Sequence, residues 1–198
     1  MFVEVLTAGL FVLLWDIYQY DLLLFALNAI FMSLLIIVFV YDIRHMIIPD
    51  ELVIWLTTMS VVLVGYVVLF GEQPSSYIYE HILAGILATG FFASFWFFSQ
   101  GRWMGLGDAK LAFPLCMMLG LSGGFSAVVL SFWIGAVVSV TLMVLQYVLR
   151  AGKTHLPFLH SALRMKSEVP FAPFLVLGFL SVYLFHVDIL AYINFVSF

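Results

Sequence analysis

Apolar positions in this chain fall into long runs separated by short polar junctions. Helical runs near 20 residues match the hydrocarbon thickness of a bilayer. The pattern predicts a first span from Phe2 to about Tyr20, with Glu4 near its start and Asp16 near its end. Leu22 to Tyr41 is the second and the most apolar. A polar junction, Asp42 to Asp50, follows it. Pro49 disfavours helix at Ile48, and Asp50 is placed to cap the next helix, about Leu52 to Phe70. Gly71 to Glu80, with Pro74, Ser75 and Ser76, reads as a turn. His81 to Phe98 is the fourth span, and Ser99 to Asp108 a glycine-rich loop. A short fifth span, Ala109 to about Leu121, contains Pro114 and is broken by Ser122-Gly123-Gly124. Phe125 to Leu149 is the sixth, and Arg150 to Val169 the longest polar loop. A seventh begins at Phe171 and runs to about Phe185, and the apolar pattern resumes after Val187.

These elements predict an all-α, polytopic transmembrane bundle of about six or seven spans, one domain over residues 1–198. Composition sharpens this. The chain is 65% hydrophobic and 9% charged, with 21 Phe. Its mean hydropathy is +1.19. So few charges could not cover the surface of a soluble domain of this size. A membrane barrel would need short alternating strands, and none is present. Nor is there a basic patch for nucleic acid. The one cysteine, Cys116, lies in an apolar run and reads as a small buried residue. The N-terminus lacks a basic region, and Glu4 stands where a signal peptide would carry positive charge.

Charge also orients the bundle. Arg44, Arg102, Lys110, Arg150, Lys153, Arg164 and Lys166 all follow even-numbered spans. The other turns carry only the acids Asp16, Asp21, Glu72 and Glu80. The positive-inside rule then places the even junctions, Asp42 and Asp108 in the cytoplasm. The N-terminus is expected on the same side and the C-terminus outside.

The candidate chemistry sits on that face. Gly105-Leu106-Gly107-Asp108-Ala109-Lys110 is a polar, glycine-rich island, and Asp42 closes the second apolar run. Read alone, Asp108 is a helix N-cap and Asp42 a surface charge. Two aspartates ending membrane helices on one face suggest more. Carboxylates brought together share a proton, so one can activate water while the other polarises a peptide carbonyl. Gly105 and Gly107 would let a backbone approach. Arg44 and Lys110 each follow an aspartate by two positions, which points them away from it and toward the interface. Asp50 reads as a cap. His45, His81, His155, His160 and His186 show no ligand spacing, so no metal is expected. No Gly-x-Ser-x-Gly elbow occurs. The aromatic stripe Phe91 to Phe98 reads as lipid-facing or interfacial packing.

Asp42-x6-Pro49-Asp50, Gly105-Leu-Gly-Asp108-Ala-Lys110-Leu and Pro170-Phe-Ala-Pro173-Phe, in that order, resemble the type IV prepilin peptidases, membrane aspartyl proteases of the GxGD type. The opening Phe2-Val-Glu-Val-Leu-Thr-Ala-Gly-Leu resembles the entry to their membrane region. The resemblance implies removal of the short basic leader of pilin-like precursors at the cytoplasmic membrane face. It implies Asp42 and Asp108 as the catalytic pair, with Gly105, Gly107 and Lys110 in the active-site loop. No cofactor is implied. Full-length bacterial members carry an additional N-terminal membrane segment and a cytoplasmic region, often with paired Cys-x-x-Cys motifs and associated with pilin N-methylation. That region has no counterpart here, so the resemblance covers the peptidase and not methyl transfer or S-adenosylmethionine use. The chain resembles a protease-only member or a fragment of a longer one. Asp50, Glu51 and Glu168 are the further acids on that face, candidates for attracting a basic leader.

Two other readings fit parts of the pattern. Tyr41-Asp42 and Gly-Leu-Gly-Asp108 fit the presenilin and signal-peptide-peptidase group, but its Pro-Ala-Leu motif is missing. A proton- or cation-coupled transporter could also use two carboxylates, and would favour internal repeats that are not evident. A site at a cytoplasmic cleft supports a protease, and a midplane site supports transport.

Overall fold

The computed structural model describes residues 2–71, 73–74, 76–102, 104–151 and 171–189. They form six helices: α1 (Phe2–Tyr18), α2 (Leu22–His45), α3 (Asp50–Phe70), α4 (Ser76–Ser99), α5 (Leu106–Ala151) and α6 (Ala172–Phe185). No strand occurs among the described residues. α2, α3, α4 and the Leu106–Leu145 part of α5 are long and apolar enough to cross a membrane, while α6 is a shorter apolar helix. These segments are compatible with the six or seven spans expected.

α5 is not one rod. Gly120 has φ 73° and ψ −173°, a left-handed conformation that only glycine adopts readily. The chain reverses there. A Cβ on Gly124 would lie 3.1 Å from the Cβ of Cys116, and the Cys116 thiol is 3.8 Å from the Gly124 carbonyl. Eight residues of straight helix would separate them by about 12 Å. α5 is therefore two antiparallel arms. The break was expected at Ser122-Gly123-Gly124, but those residues are helical and let the second arm pack against the first.

His81 of α4 accounts for the shift. Its Nδ1 donates to the Met117 carbonyl at 2.7 Å, one of the carbonyls a helix end leaves unpaired. A Cβ on residue 120 would come 3.0 Å from its Nε2. A long-range contact thus selects which glycine turns.

Lipid tails are as apolar as leucine, so close packing rather than water exclusion holds such helices together. Leu14, Phe31, Leu56, Phe92, Leu111 and Phe179 are fully or almost fully buried at the centre. Phe92 corrects the lipid-facing reading of its stripe: it stacks on Phe132 at 6.1 Å, whereas Phe97 and Phe98 do point outward. Cys116 is buried, as expected. The tightest seam joins α6 to the second arm of α5, where a Cβ on Gly178 would fall 2.5 Å from the Ala127 carbonyl oxygen.

The alternation of helix direction defines two ends. One collects the end of α2, the start of α3, the end of α4 and the starts of α5 and α6. The other collects the α1–α2 and α3–α4 turns, Gly120 and the end of α6.

Candidate active site

The two aspartates lie at the first of these ends. α2 runs past the expected Tyr41 to His45, so Asp42 belongs to its last turn rather than to a loop. Met46 then takes a left-handed conformation, φ 54°, and its N–H closes on the Asp42 carbonyl at 2.8 Å. Helical geometry turns the Asp42 side chain inward, where only 4% of the residue is exposed. Its Oδ2 is buried with no hydrogen-bond partner. Such an oxygen is costly to keep and calls for an explanation.

Asp108 is the third residue of α5, not the residue before it, because the helix starts at Leu106. It is 8% exposed. Its carboxylate takes backbone hydrogen bonds at Gly105 and at Ala172, the first residue of α6. The first bond follows capping-box logic, in which an acid in the third helical position reaches back to the N-cap N–H. The second ties the site to the Phe171-Ala172-Pro173-Phe174 stretch, whereas Pro170 lies outside the described residues. Asp108 and Asp42 are close enough for their charges to act on each other.

The glycines differ in what they do. A Cβ on Gly107 would press within 3.2 Å of Ile48, so this glycine lets the α2–α3 junction lie against the start of α5. A Cβ on Gly105 would meet only Asp108 Oδ2, at an ordinary 3.6 Å.

Asp50 and Lys110 depart from expectation together. Pro49, not Asp50, occupies the N-cap of α3, and it offers no side-chain cap. Asp50 begins the helix and accepts a 2.7 Å ion pair from Lys110. Lys110 therefore neither snorkels freely nor neutralises the buried pair; it links α3 to α5 at the rim, in water. Glu51 is exposed beside it. Glu168 lies outside the described residues, so the acids brought together at the rim are Asp50 and Glu51. Among the described residues no three His, Cys, Asp or Glu side chains are grouped to hold a metal.

Sequence reasoning did not find Ala172 as a partner of Asp108, nor Ile48 as the residue lying on Gly107. The resemblance pointed to the first stretch; nothing local marked the second.

A helical bundle of membrane-length apolar segments, with two buried carboxylates meeting at one end, defines an integral membrane protein with a carboxylate site. The sequence model of the type IV leader peptidase family matches residues 29–140, more than half of the chain and both aspartates. The chain belongs to the type IV leader peptidase family, and is a peptidase of that family. No curated protein and no solved structure matches it.

Proposed function

We propose that the protein is an aspartyl endopeptidase that removes the short basic leader of type IV prepilin-like precursors. Family membership supports the substrate class. The buried, unpartnered Oδ2 of Asp42 beside Asp108 carries the mechanism. Neighbouring carboxylates repel when both are charged, so the pair holds one proton between them. The ionised member takes a proton from water as that water attacks the scissile carbonyl. The protonated member donates to the carbonyl oxygen as it gains charge. Collapse of the tetrahedral intermediate breaks the C–N bond, with the proton delivered to the leaving nitrogen.

The aspartates lie within a turn of the helix ends, which supports a cleft at the membrane edge over a midplane transport site. The segregation of basic residues supports a cytoplasmic site in the cytoplasmic membrane. There the apolar segment after the leader can lie among the helices while the leader stays in water.

Co-expression with candidate prepilins, scored by leader removal, tests this. Asp42→Asn and Asp108→Asn are each expected to abolish cleavage while the protein still inserts. A reporter after Lys153 should read as cytoplasmic. Full activity in either variant, or a reporter on the opposite side, refutes the reading.

A further inference from the structure

The end of the bundle that holds the aspartates is basic at its surface. Its described side chains there include the cations Arg44, Arg102 and Lys110 and the acids Asp50 and Glu51. Such a face repels a basic leader except where an acid is open to it. One of these two acids is already occupied: the Lys110 ammonium sits 2.7 Å from Asp50 Oδ1.

The pair adjoins both halves of the site. Lys110 lies two residues after Asp108, in the first turns of α5. Asp50 opens α3, directly after the junction 46–49 that leads from the end of α2. Within that junction Ile48 lies against Gly107, the residue before Asp108. Asp50 is therefore close to the aspartates along two stretches of chain, where a leader would pass from them into water.

The pair is also easily exchanged. Its side chains are 41% and 67% exposed. Ion pairs in water hold by a factor of only about two to five, and salt screens them. An ammonium or guanidinium from a leader offers Asp50 the same charge and the same kind of N–H donor. Replacing Lys110 then breaks one pair as it forms another, and leaves the lysine in water.

Resting on the peptidase reading, we infer that Lys110 is a specificity-determining residue: in the resting protein it holds, on Asp50, the place that a Lys or Arg of the precursor's leader takes on binding. The occupied acid sets a threshold. A leader must bring a cation that displaces Lys110, and a neutral leader gains nothing from Asp50.

The test uses the full chain in lipid nanodiscs at low salt, with purified precursors whose leader Lys and Arg are kept or replaced by Gln. KM and kcat are measured on both. Lys110→Gln frees Asp50 and should widen the preference for the basic leader about two- to fivefold, through KM. Lys110→Arg keeps an internal cation and should keep the wild-type preference. Asp50→Asn should narrow the preference. Adding Lys110→Gln to it should change the preference no further, because the lysine acts through the acid. Lys110→Met, which keeps the aliphatic stem, takes the place of the Gln variant should that one fail to fold. An unchanged or narrowed preference in a folded Lys110 variant overturns the inference. So does a further shift in the double variant, or a kcat that falls equally on both precursors. Each of these leaves the peptidase reading intact. Cleavage that survives in Asp108→Asn would instead refute the peptidase reading itself.

Discussion

The two ends of the bundle treat their buried polar groups in opposite ways. At the end away from the aspartates, the polar groups form closed sets. Tyr183 donates its hydroxyl to Asn28 Oδ1 and receives a bond from Tyr18 at 2.8 Å. The Asn28 amide is tied to the Leu24 carbonyl at 2.8 Å. Asp188 is held by Ser122 at 2.5 Å and Ser126 at 3.3 Å. Asp21 caps α2 through the Leu24 N–H and accepts from Tyr66 at 2.8 Å. At the other end Asp42 keeps an oxygen with no partner. Among the described residues, hydrogen bonding at one end stabilises the bundle; at the other, the proposed mechanism gives the unpartnered Asp42 oxygen its use. On that proposal the same residue type, aspartate, does two jobs, and its partners distinguish them.

That contrast can be broken by moving stability and activity separately. The largest stability effect is expected between the ends. Gly178→Ala puts a methyl group against the Ala127 backbone carbonyl, which cannot yield as a side chain would. Overpacking of this kind costs about 3 kcal/mol at its upper end. Thermal unfolding in detergent should show the loss, with cleavage per folded molecule kept. A folded but inactive Gly178→Ala protein would show that the α5–α6 seam sets the site geometry directly.

Tyr183→Phe comes next. It removes the hub of the Tyr18–Tyr183–Asn28 set and strands the Asn28 oxygen. The expected loss is about 1–2 kcal/mol. Asp42→Asn should lose all cleavage with no comparable loss of stability. If Tyr183→Phe were neutral in unfolding and poor in cleavage, the far end would be part of the function.

Rim acids should give a smaller effect. Neutralising Asp50, Glu51 and Glu168 together should raise KM for a basic leader, most at low ionic strength, with kcat nearly unchanged. Exposed pairs are each worth only about 0.2–1 kcal/mol and are screened by salt. A fall in kcat at constant KM would assign these acids to the chemistry or the fold instead.

The smallest effect concerns pH at the far end. The Leu24 N–H, then the Tyr66 hydroxyl, hold the Asp21 carboxyl below the usual carboxylate range. A depressed folded value means the stabilisation is fully present above the unfolded pKa of about 3.9. It is lost as pH falls through the folded value. Wild type should therefore lose more melting temperature on acidification than Tyr66→Phe. Parallel curves would show that the Tyr66 bond contributes nothing.

Much of this was legible in the sequence, for a physical reason. A bilayer demands long apolar runs, so the helices announce themselves, and a charge at the end of such a run stands out. Asp42 and Asp108 were found that way. What stayed hidden depends on contacts distant along the chain. Asp50 obeyed a local capping rule on paper, yet Lys110 captures it. Gly123-Gly124 looked the stronger breaker, but His81 favours Gly120. Tyr18, Asn28 and Tyr183 are ordinary polar residues in apolar runs, and no spacing links them.

The hairpin at Gly120 bears on how the protein is made. The arm from Leu106 to Leu119 is shorter than the about 20 residues that hold a helix across a bilayer unaided. The two arms of α5 are thus expected to enter the lipid together as one unit. α4 leaves the ribosome first, bringing His81, which receives the turn through Met117. The order of synthesis therefore supplies the template before the piece that needs it. Asp108, at the base of that arm, is expected to reach Asp42 only when the hairpin has been seated.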